Sequence, residues 1–551
     1  MNPPTRQKSV FMALAMALLV FSSTWFYVRA IPLGEPPDEI AHLSYINDIA
    51  ANGHWIPDYK SSTIIGSQQK NYLTHPPLYY SLLGALGKIF SWDSLKEYKH
   101  YRAASALFVA LGIFFWVLAA RNFGFNLIRT LPLVAAALAI PMFPYLAGSI
   151  NNDNLCYLGI AVSFYGFSLL EFSLGKAAIY AATGFLITAL TKATGTLFLV
   201  AFLGAWALMN RQTALSLVKS RLAYRAYLPA VAVCAAYYLY IIATYHTPFP
   251  KPGRIYAEST LGPNHMSLLQ FVATFGKLFW ERLPVVLTGQ KSFDPLSSHL
   301  HLIFYFMICA PIVAWIFNRP FSEKGSGRKG ADAFFIALLI TVAGNFWVCW
   351  TGYLDSGVVG GIQPRYYSFL IPGIFFFSFG DGTTSPLKQW TFAAFSLATV
   401  VLIPNIAPRA AIQHHVYQRF ERAPSMQAPD GTMPPSDTLA VVTPTTTTAG
   451  YFRIIDSNQG PVITGWSIDL QSARPSRAVW VSVKGKLVGT APPGVERPDV
   501  AAALNDSDAL YSGFVIRIRK SQEGIPPCDI TLKGEQFNGT LADLINTSCT
   551  H

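Results

Sequence analysis

The sequence predicts a polytopic α-helical membrane protein that ends in a small all-β domain. Three observations carry this prediction. Of the 551 residues, 52% are hydrophobic and only 13% are charged, whereas about 25% of an ordinary soluble domain is charged. Apolar runs near the roughly 20 residues needed to cross a bilayer recur through the first 404 residues. After a Pro- and Thr-rich segment the pattern changes to short alternating runs. This composition excludes a soluble enzyme of ordinary make-up and a disordered chain.

About eleven membrane-spanning helices are predicted along this first part of the chain. The first run, after Arg6 and Lys8, could also be a signal peptide. It is long for the apolar part of one and no small-x-small cleavage site follows, so we interpret it as a retained span. The predicted spans are 9–29, 102–120, 128–147, 154–172, 177–191, 195–210, 226–244, 299–318, 331–351, 366–380 and 389–404.

The basic residues orient these spans. The chain has 41 Lys and Arg against 29 Asp and Glu, a net charge of +12. If the N-terminus is cytoplasmic, the inside loops hold most of the Lys and Arg, as the positive-inside rule expects. The short outside loops then hold little beyond Lys192 and Arg365. The same excess, without any nucleic-acid-binding motif, favours membrane lipids over nucleic acid as a partner.

Two outside loops are long, 30–101 and 245–298. The first contains two proline-led segments, after Pro37 and after Pro77, with apolar residues at helical spacing. Proline is favoured at the start of a helix because its missing N–H is not needed there. We therefore predict two helices that lie on the membrane surface.

The C-terminal region has a different organisation. We predict a transmembrane domain over 1–410, a linker over 411–449 and a sandwich-like all-β domain over 450–551, because period-two alternation there is punctuated by Gly, Pro and Asp. Cys528 and Cys549 could form a disulfide in this domain if it lies in an oxidising compartment. A glycan-binding role and a passive spacer role for the domain both remain open.

The segment Gly34–His42 is the most informative for chemistry. If a helix begins at Pro37 or Asp38, then Asp38 and His42 are i,i+4 neighbours on one face. A carboxylate at a membrane surface can serve as general base toward an acceptor hydroxyl. The alternative is that these acids only favour the helix dipole.

Further polar residues fall on the same predicted side of the membrane. Asp153 could contribute to an outer cavity or cap a helix, and Lys192 could pair with a lipid phosphate or extend to the interface. Arg365 could hold a phosphate through its planar fork or anchor a headgroup. Tyr366 is a site residue or an interface aromatic, and His75 contacts phosphate or ends a loop. These residues come from separate segments, and we expect them to converge.

The motifs resemble those of a known superfamily. Pro37-Asp38-Glu39-x-x-His42 after the first span, then His75-Pro76-Pro77-Leu78-Tyr79-Tyr80, and a late Pro364-Arg365-Tyr366 resemble the GT-C superfamily of integral membrane glycosyltransferases, and within it a poorly characterised bacterial branch. The resemblance covers about 1–410 and not the tail. It implies lipid-phosphate-linked sugar donors and a catalytic acid in the first external loop, which is Asp38 here. Glu39 would be a supporting acid or a metal ligand, and His42 would orient Asp38 or bind substrate. Because members differ in metal dependence, the cofactor stays unknown and a divalent metal is possible without being required.

We therefore predict a glycosyltransferase of the bacterial inner membrane that moves a sugar from a polyprenyl-phosphate donor to a surface glycan or lipid acceptor on the periplasmic side, with inversion. Two alternatives remain. One is a polysaccharide polymerase or ligase with a diphosphate-linked donor, which the early Asp-Glu fits less well. The other is a non-catalytic transporter or scaffold, against which the scarcity of ionisable residues within the spans counts.

Overall fold

The computed structural model describes the chain in several stretches separated by gaps. The helical part is described more continuously than the segment before the C-terminal strands. The described residues are 6–30, 33–34, 36–65, 71–94, 96–123, 130, 134–135, 137–140, 142–248, 250, 266–287, 306, 309–310, 312–313, 315–316, 326–356, 361–379, 393–394, 396, 448–455, 462–469, 474–476, 478–491, 497, 500, 512–517, 526–536, 541–546 and 549.

The described N-terminal part is helical. A long first helix is followed by two shorter helices in the segment 30–101 and then by a second long helix. Both predicted surface helices are present, the first beginning at Glu39 and the second at Leu78. The bounds are α1 Arg6–Ala30, α2 Glu39–Asn52, α3 Leu78–Phe90, α4 Tyr98–Asn122 and α5 Met142–Ala147.

Helices continue through the middle of the chain. A seven-residue 3₁₀ helix, Pro364–Leu370, leads directly into the last of them. The bounds are α6 Asp153–Ser168, α7 Leu174–Ala189, α8 Ala193–Met209, α9 Arg211–Lys219, α10 Arg221–Tyr245, α11 Leu268–Leu287, α12 Ser326–Ser356 and α13 Ile371–Phe379.

Within the described stretches, four helices are long and apolar enough to cross a membrane. They lie in α1, α4, α10 and α12, and a fifth is obtained if α8 and α9, bent by 111° at their junction, form one broken span. The count of eleven is therefore not confirmed. Most of the predicted spans 299–318 and 389–404, and part of 128–147, lie outside the described residues.

One helix lies where the sequence predicts a loop. The helix α11 occupies 268–287, inside the predicted outside loop 245–298. Lys277, Glu281 and Arg282 interrupt its apolar residues, and only Leu268–Trp280 is a continuous apolar helix, which is shorter than a membrane span. Its apolar face packs through Phe271 on Tyr353 of α12.

Aromatic rings and small residues hold the helices together. Trp116 of α4 stacks on Phe164 of α6 with ring centroids 5.0 Å apart. The helices α6 and α7 approach so closely that a Cβ at Gly184 would collide with the Gly159 carbonyl oxygen. Small residues at such a crossing allow the backbones to meet, as is common between membrane helices. This crossing fixes where the first residues of α6 and the last of α7 lie.

The C-terminal strands form two sheets. The first contains β1 Thr448–Ile455, β2 Val462–Asp469, β3 Arg474–Pro475, β6 Gly513–Arg517 and β9 Ile545–Asn546, with β9 parallel to β1 and the other pairs antiparallel. The second has the order β5-β4-β7-β8, from β4 Ala478–Val483, β5 Lys486–Ala491, β7 Ile530–Glu535 and β8 Leu541–Asp543.

A single apolar core lies between these sheets. Phe452 and Ile463 of the first sheet share it with Val479 and Leu532 of the second. A disulfide joins Cys528 to Cys549, with the Cα atoms 5.4 Å apart. Two sheets around one core are the arrangement of a sandwich. The predicted linker, 411–449, lies outside the described residues except at its end, where β1 begins at Thr448.

Candidate functional site

Asp38 occupies a strained position directly before α2. Its backbone is left-handed, with φ +62° and ψ 8°, and its side chain forms no hydrogen bond with the first amides of α2. Asp tolerates this conformation better than most residues, but it still costs free energy. The consequence is that the carboxylate turns away from the helix it precedes and toward other elements.

Arg365, at the start of the 3₁₀ helix, is the charged partner of Asp38. Its Nη2 donates to Asp38 Oδ2 at 2.8 Å. The second carboxylate oxygen, Oδ1, accepts a short hydrogen bond from the Tyr72 hydroxyl. The Arg365 side chain is 9% exposed and that of Asp38 is 29% exposed. The carboxylate thus remains reachable from outside, while its cation is largely covered.

A second ion pair stands beside the first. Lys192, which precedes α8, pairs with Asp153 at the start of α6, and both side chains are 7% exposed. The Lys192 ammonium lies 5.4 Å from the centre of the Tyr366 ring, and the Arg365 guanidinium carbon lies 5.6 Å from the same ring. Tyr366 therefore joins two cations, each held by its own carboxylate.

Two histidines line the same cluster. The His42 and His75 rings stack with their centroids 6.1 Å apart, and His42 Nδ1 shares a hydrogen bond of 2.9 Å with the Tyr80 hydroxyl. The sequence places Asp38 and His42 as i,i+4 neighbours on one helix face. In the structure these two residues are joined through the backbone, where the His42 N–H donates to the Asp38 carbonyl at 3.0 Å. The His42 ring is thus oriented by Tyr80.

Burial keeps both imidazoles neutral. It lowers the pKa of His42 well below 6.5, and the neighbouring His75 lowers it further. Burial and the charge of Lys192 lower the pKa of His75 to about 3. Asp38 differs, because burial would raise its pKa but the Arg365 charge and the Tyr72 hydrogen bond outweigh this and hold it below 3.8. At neutral pH the resting site has an ionised Asp38 and two uncharged histidines.

Glu39 is fully occupied in a different contact. Its oxygens accept from Arg102 Nε at 2.7 Å and Nη2 at 2.6 Å, and both side chains are 0% exposed. The carboxylate also accepts the backbone N–H groups of Gly34 and Ile150, each at 3.0 Å. These bonds tie the start of α2 to α4 and to the segment before α6. Of the two roles considered for Glu39, the geometry favours a supporting one over that of a metal ligand.

In the described stretches, no group of three or more His, Cys, Asp or Glu side chains is placed to hold a metal ion. The acids nearest the cluster, Asp38 and Asp153, are each paired with a cation.

The structure brings most of the sequence-predicted residues together. Asp38, His42, His75, Asp153, Lys192, Arg365 and Tyr366 form one connected cluster, and Glu39 adjoins it from the buried side. Sequence reasoning missed Tyr72, Tyr80 and Arg102. Arg102 could have been found, since a charged residue at the end of an apolar span calls for a buried partner. No local pattern distinguishes Tyr72 from the other tyrosines, whereas Tyr80 ends the motif that begins at His75, although the motif gave it no role.

Comparison with known proteins adds the following. A family model described as "Predicted membrane protein (DUF2142)" matches residues 54–374. No curated protein matches the chain. Among solved structures, ArnT from Cupriavidus metallidurans is similar in its apo state (17% identity over 78% of this chain and 82% of that one, TM-score 0.38). The same protein bound to undecaprenyl phosphate is similar over the same shares at 17% identity, with TM-score 0.33.

Proposed function

This chain belongs to the DUF2142 family of predicted membrane proteins, and on that premise we propose that it is a membrane glycosyltransferase of the GT-C type. It takes a sugar from a polyprenyl-phosphate donor and transfers it to a glycan or lipid acceptor. Asp38 is the general base, and Arg365 and Lys192 bind the donor phosphate.

One observation carries this proposal: the cluster Asp38–Arg365–Tyr366–Lys192–Asp153. A sugar transfer from a lipid phosphate needs an anionic group near the attacking hydroxyl and cationic groups near the departing phosphate. The cluster contains both within a few ångströms, and Asp38 stays partly exposed. In addition, Arg365 Nε is buried without a hydrogen-bond partner among the described residues. A buried donor left unpaired is costly, so a phosphate oxygen there would be favoured.

The proposed reaction is a single displacement. The acceptor oxygen forms a bond to the anomeric carbon while the bond from that carbon to the phosphate oxygen breaks. The acceptor proton passes to Asp38 and then to solvent, and the leaving group departs as polyprenyl phosphate. Its negative charge is stabilised by Arg365 and Lys192. Attack opposite the leaving group inverts the anomeric centre.

Donor binding also has to make Asp38 a better base. In the resting site Arg365 holds the pKa of Asp38 below its ordinary value, so the carboxylate is ionised but a poor proton acceptor. When a donor phosphate binds the Arg365 guanidinium, the interaction between Arg365 and Asp38 weakens. The pKa of Asp38 then rises. Base strength is thereby coupled to the presence of donor.

The proposal extends to location and domains. We place the cluster on the periplasmic side of the bacterial inner membrane, with the N-terminus cytoplasmic, on the charge distribution of the loops. The catalytic unit is 1–410, joined by the linker 411–449 to a periplasmic β-domain, 450–551. The Cys528–Cys549 disulfide supports an oxidising compartment for that domain.

The test compares envelope glycans of a deletion strain complemented with wild type, Asp38→Asn or Asp48→Asn. Asp48 lies on the same helix, is partly exposed and accepts hydrogen bonds only from Asn52 and Asp58 among the contacts described, so it is the matched control. We expect wild type and Asp48→Asn to restore the glycan, and Asp38→Asn to fail at equal protein level. An unchanged glycan profile in the deletion strain, with donor and acceptor both made, would contradict the proposal.

A further inference from the structure

An apolar cavity lies at the far end of the helices from the charged cluster. Its volume is about 330 Å³, and Phe167, Leu203, Trp206, Leu217 and Tyr227 are among the residues that line it. Asp153 stands at the first residue of α6 and Phe167 near its last, so the two are separated by about 21 Å along the helix.

The helix α9 closes the cavity from one side. It follows α8 after a bend of 111°, and its residues Ala214, Leu217 and Val218 line the cavity. Its other faces are exposed, and none of its residues is buried. A short amphipathic helix that turns sharply off a span is typical of a segment lying in the membrane interface.

Exposed cations are frequent on the segments that line this cavity. Five exposed cations lie on or next to elements that line the cavity: Lys176, Arg211, Lys219, Arg221 and Arg225. Glu171 is the single acidic residue between positions 166 and 227. In the part of the chain that the structure describes, none of the five cations forms an ion pair. These five cations, called the rim cations below, are therefore available to bind an anion, whereas the residues that line the cavity are apolar.

We propose that this cavity binds one acyl chain of an anionic phospholipid, with the headgroup phosphate held by the rim cations. The cavity opens to the surface and its lining is apolar, so burying that lining against a hydrocarbon chain is favourable. A membrane supplies acyl chains as the abundant apolar guest, and the five cations select an anionic headgroup over a zwitterionic one. The site is independent of the proposed transferase activity, since it lies at the other end of α6 and α8.

The first experiment tests the headgroup contact. Full-length protein in detergent is titrated with phosphatidylglycerol or phosphatidylcholine, and bound lipid is counted by native mass spectrometry. We expect wild type to retain one phosphatidylglycerol, and Lys219→Gln/Arg221→Gln to bind it roughly 25-fold more weakly, at about fivefold for each cation removed. The control Lys88→Gln/Lys96→Gln removes two exposed charges elsewhere and should bind like wild type.

The second experiment tests the chain pocket. Ala207 lines the cavity, so Ala207→Phe should fill it and abolish retention of the lipid. Ala232→Phe, at an exposed position of α10, is the control and should leave retention unchanged. Thermal unfolding should show that phosphatidylglycerol stabilises wild type and no longer stabilises Ala207→Phe.

Two results would overturn the proposal. One is equal retention of phosphatidylglycerol by wild type and Ala207→Phe. The other is equal affinity of wild type for phosphatidylglycerol and phosphatidylcholine. Because binding is read without any sugar transfer, a failure here is distinct from a failure of the transferase proposal.

Discussion

Asp38 contacts a guanidinium that lies 327 residues later in the chain, and the backbone geometry at residue 38 makes this contact possible. In an ordinary N-cap position the carboxylate would accept from the first amides of α2. The left-handed conformation instead directs it to Arg365 and Tyr72. Strain at a single residue thus turns the carboxylate from a helix cap into a member of the charged cluster.

Sugar transfer should be impaired even when another cation replaces Arg365. Arg365→Lys keeps the charge but loses the planar fork that can contact a carboxylate and a phosphate together. We expect kcat/KM for sugar transfer to fall by about 10- to 100-fold, the equivalent of one charge-assisted hydrogen bond. The measurement is transfer from a polyprenyl-phosphate sugar in proteoliposomes. Lys88→Arg, at an exposed site, is the control, and full activity of Arg365→Lys would contradict the role.

The buried histidines make stability depend on pH. Because the folded pKa of His75 is about 3 and that of His42 is also lowered, the unfolded chain takes up these protons first as pH falls below about 6.5. Their contribution is complete above pH 6.5 and is lost progressively toward pH 3. Asp38, with its lowered pKa, loses its contribution only below about pH 4.

We therefore expect the Tm of wild type to fall between pH 7 and pH 4.5, and His75→Asn to show a shallower fall. His54→Asn is the control, since His54 is exposed at the end of α2. Identical slopes for wild type and His75→Asn would rule out His75 as a source of this dependence.

At the scale of elements, the Glu39–Arg102 pair fixes the segment that carries Asp38. It connects the first turn of α2 to α4, and through Ile150 to the segment before α6. The two neighbouring acids thus have separate tasks: Glu39 holds the helix start in place, and Asp38 faces the cluster.

Removing one partner of this pair should destabilise the protein strongly. Glu39→Gln leaves Arg102 buried without its counter-charge, which costs about 3–5 kcal/mol. Thermal unfolding of the purified protein measures the loss, with Glu97→Gln, a partly exposed acid before α4, as the control. A Glu39→Gln protein that is as stable as wild type yet inactive would instead make Glu39 a catalytic acid.

In the β-domain, the Cys528–Cys549 disulfide is expected to stabilise the fold. Cys528 and Cys549 are 21 residues apart, and closing a loop of this size stabilises a fold by about 3 kcal/mol. We expect Cys528→Ala/Cys549→Ala to lower the unfolding temperature of the β-domain strands while sugar transfer by the helical part persists. The control is Cys234→Ala, which removes a free buried thiol. No change in unfolding would show that the bridge is dispensable.

At the scale of the whole molecule, hydropathy and the distribution of Lys and Arg together predicted which segments meet at the site. Assigning sides from Lys and Arg put Asp38, Asp153, Lys192 and Arg365 on one face, and the structure joins them through Tyr366. Of the eleven spans that hydropathy predicts, the described residues provide four or five, and most of 299–318 and 389–404 lies outside the described residues. The left-handed turn at Asp38 and the contact with Tyr72 depend on tertiary packing, which no local pattern encodes.

The central claim is that Asp38 and Arg365 act on one substrate in one pocket. Its most direct test is a double-mutant cycle on sugar transfer from a polyprenyl-phosphate donor, with wild type, Asp38→Asn, Arg365→Gln and the double variant at equal protein level. We predict that Asp38→Asn lowers kcat by roughly 10²–10⁴-fold. The double variant should be little worse than the more damaged single variant, since the two residues act as a unit. Wild-type transfer by Asp38→Asn, or losses that simply multiply, would contradict the claim.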